Sequence, residues 1–197
     1  MTDENGDGAI FEAARILNEF RVQLRHEKLL TFNPGLIAGG TRVTQQGDKS
    51  NYGVFGKTNV IAKDTLVKGG IRAVSPEQLE QAKAMMQTIV SQNLRHTSAI
   101  LEFQPGYPPM AQTPANLNLL ALYSRVSEDL GYGIITAVDP RNAGAADISF
   151  AASHVDMSLD GLGLMGSGGH TKNEVADMSS FAKNMHKAAL LIYRLSQ

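Results

Sequence analysis

The 197-residue sequence predicts an α+β protein. A ferredoxin-like βαββαβ unit lacking its first strand is expected over residues 1–107, and an incomplete α/β segment over 108–197. Three observations predict this. Up to residue 103 the hydrophobic periodicities run helix, strands, helix, strand. Pro105-Gly106-Tyr107-Pro108-Pro109 then interrupts every regular pattern and marks the boundary. Beyond it, helical stretches alternate with short apolar extended ones, as at one edge of a parallel sheet.

Ile10, Ala13, Ala14, Leu17, Phe20 and Leu24 fall at helical spacing and predict an amphipathic helix over 9–24. Extended segments follow at 29–32, 36–43, 52–62 and 65–74, with glycines at 39, 40, 53, 56, 69 and 70 marking bends, bulges and turns. Ser75-Pro76-Glu77-Gln78 opens a second helix, with Ser75 as N-cap, Pro76 at the first helical position and Gln78 completing a capping box. Leu79, Ala82, Met86, Ile89 and Val90 form its inner face, and 98–103 reads as a strand. Thr113-Pro114 starts a helix carrying Leu119, Tyr123, Val126 and Leu130, which Gly131 or Gly133 ends. Strands are expected at 134–138 and 157–164, with a short helix at 146–153. A last helix over 180–195 is expected to bury Phe181, Met185, Ala188, Ala189, Ile192 and Leu195.

Composition narrows the function classes. Hydrophobic residues at 43% and charged ones at 19% suit a packed core rather than disorder. With 18 basic against 19 acidic side chains, no basic surplus points to nucleic acid and no acidic tail to a basic partner. The absence of cysteine excludes disulfide frameworks, thiolate zinc sites and cysteine nucleophiles. Apolar runs fall far short of the roughly 20 residues a membrane span needs. The N-terminus carries Asp3, Glu4 and Asp7 where an export signal carries lysine or arginine, so the chain as given is expected in the cytoplasm. A longer parent could be periplasmic or secreted.

Four constellations could carry chemistry. Gly161-Leu162-Gly163-Leu164-Met165-Gly166 matches G-x-G-x-x-G, but the next helix starts about ten residues too late to cradle a pyrophosphate, and no acid follows at the expected distance. The triplet His154-Val155-Asp156 is a two-residue opening for a zinc site without further ligands at suitable spacing, which favours a surface role. His170 ends the glycine-rich loop beyond an apolar segment, where open α/β sheets place ligands; it reads either as a metal or substrate contact or as a solvated loop histidine. Glu174 and Asp177 behind it suit outer contacts or helix capping. Asn142 to Asp147 is a small-residue turn whose backbone can approach a ligand. Arg72, ending a strand, is either a bidentate carboxylate clamp or a surface charge.

Taken together, these segments resemble the zinc exopeptidases of the glutamate carboxypeptidase and acetylornithine deacetylase type, metallopeptidase family twenty of clan MH. The loop from Leu159 to Thr171, followed by Glu174 and Asp177, is similar to that family's final metal-binding stretch. Ala143-Gly144-Ala145-Ala146-Asp147 resembles its small-residue turn, and Gly56 to Ile61 followed by Arg72 its paired lid strands. Gly8 to Leu17 looks like its first lid helix. On this resemblance, 1–107 is a partial lid or dimerisation domain and 108–197 the end of a zinc-exopeptidase-like α/β catalytic domain.

The resemblance implies roles residue by residue. His170 would ligate one zinc of a two-zinc pair, Arg72 would bind a substrate carboxylate, Asn59 would donate to the substrate carbonyl, and Gly144 would supply backbone contacts. Ala62 stands where many relatives carry proline. The implied reaction is hydrolysis of an amide next to a C-terminal amino acid in a peptide or N-acyl amino acid, by a homodimer joined through the lid. The family's first metal motif, bridging Asp, Glu-Glu pair and lid histidine have no counterpart here. The chain is therefore expected to be the C-terminal half of such an enzyme and inactive alone; the alternative is a non-catalytic dimerisation or binding module.

Overall fold

The computed structural model describes residues 6–47 and 50–197; the acidic start at Met1 to Asn5 lies outside the described residues. The chain divides into two compact units, Met1–Pro109 and Met110–Gln197. Helices combined with small antiparallel sheets make it α+β. Among the described residues, no helix is long and apolar enough to cross a membrane.

In the first unit, α1 (Ala9–Leu24) has the bounds its apolar spacing predicts. The chain then runs through β1 (Thr31–Gly40), β2 (Arg42–Gln45), β3 (Tyr52–Phe55) and β4 (Asp64–Arg72). β1 pairs antiparallel with β4, from Thr31 opposite Arg72 to Gly40 opposite Asp64, with a bulge between Pro34 and Leu36. β2 and β3 form a separate antiparallel hairpin. β1 passes so close to α1 that a Cβ on Gly39 would lie 2.9 Å from Cγ1 of Ile10. Helix α2 (Pro76–Val90) starts as its sequence predicts: the Ser75 hydroxyl accepts from the Gln78 amide at 3.1 Å. The reciprocal bond differs, because Gln78 Oε1 accepts from the Val74 amide at 3.0 Å while its Nε2 donates to the Lys28 carbonyl at 2.9 Å. Gln78 thereby ties the helix start to the β1 approach as well as capping it.

Phe20 and Leu24 of α1 interlock with Ala82, Met86, Ile89 and Val90 of α2 to make the core. Phe32 and Ile71 of the sheet close over it, and Phe32 meets the Phe20 ring edge-to-face at 5.4 Å. Ala99, Leu101 and Phe103 pack on the same core, alternating with exposed neighbours as in a strand. Yet 98–103 joins no sheet among the described residues. The predicted period is present; the expected ladder is absent.

The second unit is built on α3 (Pro114–Asp129) and α5 (Ser179–Leu195), with the one-turn α4 (Ile148–Ala151) between them. The Thr113 hydroxyl caps α3 by accepting from Asn116 N. Its end closes with Gly131 at φ 75°, Gly131 N–H donating to Glu128 and Tyr132 N–H to Ser127. Leu119, Tyr123, Val126 and Leu191 form the core, with Ile135, Leu159 and Leu162 against it. The expected strands at 134–138 and 157–164 make no ladder; the strands found here are the two-residue antiparallel pair β5 (Gly166–Ser167) and β6 (Val175–Ala176). A parallel strand requires a neighbour delivered by a long crossover, and no such neighbour stands beside these segments among the described residues. Their apolar side chains hold them on the core by one face only.

The apolar face of α5 departs from expectation in the same way. Leu191 is the buried residue, whereas Phe181, Met185, Ile192 and Leu195 are 50 to 67% exposed. With Met178 at the N-cap and the half-buried Ala188 they repeat at heptad spacing, an apolar stripe largely without cover among the described residues.

Candidate functional site

Arg72 is the last residue of β4 and lies opposite Thr31, with an exposed side chain. Its position follows from the alternating segment that makes β4, which ends before the Ser75 cap. Asn59 sits in the exposed turn at 57–60, where Val60 N–H donates to the Lys57 carbonyl at 3.2 Å. This turn replaces the second half of the strand expected over 52–62. It precedes β4, whereas Arg72 ends it. At about 3.3 Å per residue the nine-residue strand holds its two ends about 26 Å apart. Asn59 thus stands in the loop before the start of β4, and Arg72 at its end.

In the second unit, His170 lies exposed in the turn between β5 and β6, with φ at 63°. Thr171 N–H and its hydroxyl both return to the Gly168 carbonyl, at 3.1 and 2.7 Å, which tightens the turn. Gly168 has φ 70°, and a Cβ there would lie 2.8 Å from the Asn173 carbonyl oxygen, so the turn needs glycine at this point. The loop before it is tethered to α5: Met165 N–H donates to the Ser180 hydroxyl at 3.0 Å, and Asn184 Nδ2 donates to the Gly163 carbonyl. α5 begins only at Ser179, so no helix N-terminus stands at the G-x-G-x-x-G run. Gly144 lies in an exposed loop, where a Cβ would meet nothing within 4 Å.

Asp177 serves the start of α5, its Oδ1 accepting from the Ser179 hydroxyl at 2.7 Å and the Ser179 amide at 3.0 Å. The Ser179 hydroxyl and amide bonds, helped by the Lys183 charge, hold its carboxyl below the ordinary aspartate value. His154 and Asp156 are exposed. Among the described residues, no three His, Asp or Glu side chains converge to hold a metal ion. A structural or catalytic zinc takes three or four protein ligands. A single exposed imidazole does not fit a zinc pair, so the donor set of the described residues is not that of a complete zinc centre.

One residue escaped the sequence reading. Glu12, on α1, is only 2% exposed, the one charged side chain buried among the described residues. Its carboxylate accepts from Arg15 Nη2 at 2.6 Å, Leu94 N at 2.8 Å and the Thr97 hydroxyl at 3.2 Å, while Arg15 also donates to the Ile89 carbonyl. Burial by itself would raise this carboxyl, but the bonds from Arg15, Leu94 and Thr97 and the Arg15 charge outweigh it and hold it below the ordinary glutamate value. The only sequence signal was an arginine three residues on, a pair common on solvated helices.

Residues 2–98, just under half of the chain, match the family model of the M20 peptidase dimerisation domain. No curated protein matches the chain.

Proposed function

We propose that this chain is part of an M20-type metallopeptidase, its first unit a ferredoxin-like dimerisation domain and its second the end of an α/β catalytic domain. The match of residues 2–98 to the peptidase dimerisation domain carries this reading. The two helices α1 and α2 packed on an antiparallel sheet support it. In the complete enzyme, of glutamate carboxypeptidase or acetylornithine deacetylase type, the substrate is a peptide or N-acyl amino acid. Arg72 is the carboxylate clamp, because an exposed guanidinium at a strand end can meet a carboxylate through two parallel N–H bonds. Asn59 donates its side-chain amide to the scissile carbonyl, and the open backbone at Gly144 admits a substrate without a side chain in the way. His170 is one zinc ligand, and the others come from outside this chain.

A second reading, a dimerisation module without catalysis, is favoured by the lack of three converging metal-binding side chains among the described residues. Both readings require a homodimer through the first unit, and a strictly monomeric chain in sedimentation at micromolar concentration would overturn both. Zinc titration separates them: a site lost in His170→Ala favours the peptidase part, and a dimer that takes up no zinc favours the module. Two zincs per chain with turnover of an N-acylglutamate would refute the assignment of the other ligands to a separate segment.

A further inference from the structure

We propose that the outward face of the β2–β3 hairpin binds a small carboxylate ligand carrying an apolar group, of the N-acyl amino acid class. The site is separate from the carboxylate clamp assigned to Arg72 and does not depend on the peptidase reading. Two contacts define which face is outward. Gly39 faces Ile10 of α1, so its neighbour Gly40 faces the other side of the β1–β4 sheet. A Cβ on Gly40 would lie 2.8 Å from the Phe55 carbonyl oxygen and 2.9 Å from Val54 Cγ1, so the hairpin stands on that far side. In one straight ribbon Tyr52, opposite Gln45, and Lys68, opposite Leu36, would be roughly 30 Å apart. Instead, Lys68 Nζ lies 5.0 Å from the centre of the Tyr52 ring. The chain therefore bends beyond Gly40 and lays the hairpin back over the sheet, with Tyr52 and Val54 inward.

Alternation then sends Arg42, Thr44 and Gln46 from one strand, and Gly53 and Phe55 from the other, to the outer face. With the Val54 backbone between them they line a trough of about 280 Å³. Arg42 stands directly opposite Phe55, and both are exposed. Among the described residues no carboxylate pairs with Arg42. Gly53, opposite Thr44, weakens the strand it sits in, as glycine does where another group approaches the backbone. A Cβ there would collide with the Gln46 carboxamide and lie 3.3 Å from Thr44 Oγ1, so the bare backbone is the floor of the trough. The surrounding charge suits an anion. Residues 28–72 carry seven basic against two acidic side chains, in a chain whose net charge is −1, and Lys57, Lys63 and Lys68 are exposed like Arg42.

Each lining group selects one part of the ligand. The Arg42 guanidinium takes a carboxylate through two parallel N–H bonds. The Phe55 ring across the ladder offers an apolar wall beside that carboxylate. The Gln46 carboxamide and the Thr44 hydroxyl both donate and accept, which suits the N–H and C=O of an amide. A carboxylate, an apolar side chain and an amide on one carbon make an N-acyl amino acid. The volume lies at the small end of ligand sites and leaves no room for a nucleotide-sized cofactor. Inorganic phosphate would engage Arg42 but leave Phe55 and Gln46 unused.

The test titrates the intact chain with N-acetylphenylalanine at low ionic strength and follows the backbone amides by NMR. Saturable shifts are expected at 42–46 and 53–55, half complete on the order of 1 mM. N-acetylphenylalaninamide, which lacks the carboxylate, should give none. Arg42→Gln should weaken binding at least about tenfold, while Arg72→Gln leaves it unchanged. Gly53→Val keeps a good strand former and fills the floor, and should also abolish the shifts. The hairpin's own amide spectrum shows that each variant keeps its fold. No saturation below about 10 mM, equal shifts with the amide or with inorganic phosphate, or binding that survives both hairpin substitutions would overturn the proposal. Shifts confined to Arg72 and lost in Arg72→Gln would also overturn it, while supporting the clamp; shifts at the hairpin alone would uphold it whatever becomes of the clamp.

Discussion

Glu12→Ala would cut the tie between α1 and the turn at 94–97. The substitution strands three donors at once: the Arg15 guanidinium, the Leu94 amide and the Thr97 hydroxyl. Removing one partner of a buried ion pair costs about 3–5 kcal/mol. Arg15 is one-fifth exposed and can turn to water, and the Thr97 hydroxyl keeps its bond to the Leu94 carbonyl, so the low end applies, about 3 kcal/mol. That is roughly a hundredfold in the unfolding equilibrium. Glu12→Gln keeps the shape and one acceptor and should lose about half as much. Urea unfolding followed by amide exchange in α1 and α2 reads the first unit separately from the second. The pH dependence supplies a sharper check. Because the folded carboxyl titrates below its ordinary value of 4.5, its ionised form stabilises the fold. That contribution is complete above the unfolded value and is lost as pH falls through the folded one. Wild type and Glu12→Gln should therefore differ fully at pH 7 and converge in acid. Equal stability at pH 7, or a gap that does not shrink in acid, would refute this account of Glu12.

Three further outcomes are expected. Phe20→Ala, which empties a site buried among Met86, Ile89 and Phe32, should destabilise the first unit by about 3–5 kcal/mol in the same urea experiment. Ser75→Ala, which frees the Gln78 amide, should cost about 1 kcal/mol and increase exchange in the first turn of α2 more than in its last. The Asp139 carboxyl, held at about 2 by the side-chain and backbone bonds from Arg141, should titrate higher in Arg141→Ala but stay below its ordinary 3.8, since the backbone N–H at 141 still donates to it, as followed by carboxyl-carbon NMR.

What was legible in the sequence follows the range of the interaction. α1 was bounded correctly, because its spacing and its ends are local facts. The Ser75 cap was readable for the same reason, although Gln78 chose the Val74 amide, a choice made by the strand end before the helix. Residues 97–103 show the opposite case: side chains at 99, 101 and 103 announce a strand, but alternation says nothing about whether a neighbour stands beside it. The stripe on α5 was read as buried on apolar character alone, and cover is a property of the surroundings. Glu12 was illegible, since its burial depends on Leu94 and Thr97, more than 80 residues away. Arg72, Asn59, Gly144 and His170 take positions in strand ends, turns and loops that a pattern can indicate. That Arg72 stands opposite Thr31 becomes visible only with the register.

The uncovered stripe on α5 has a calorimetric consequence. Phe181, Met185, Ile192 and Leu195 are already hydrated in the folded state, so melting the second unit brings little new water to them. The heat-capacity increment of unfolding arises mainly from newly wetted apolar area, and for this unit it falls below the usual about 12–15 cal/mol/K per residue. A smaller increment flattens the stability curve, and a smaller buried core lowers the melting enthalpy that would make the transition sharp. The second unit should therefore loosen over a broad span of temperature, and covering the stripe would restore both the heat absorbed and the abruptness of the melt.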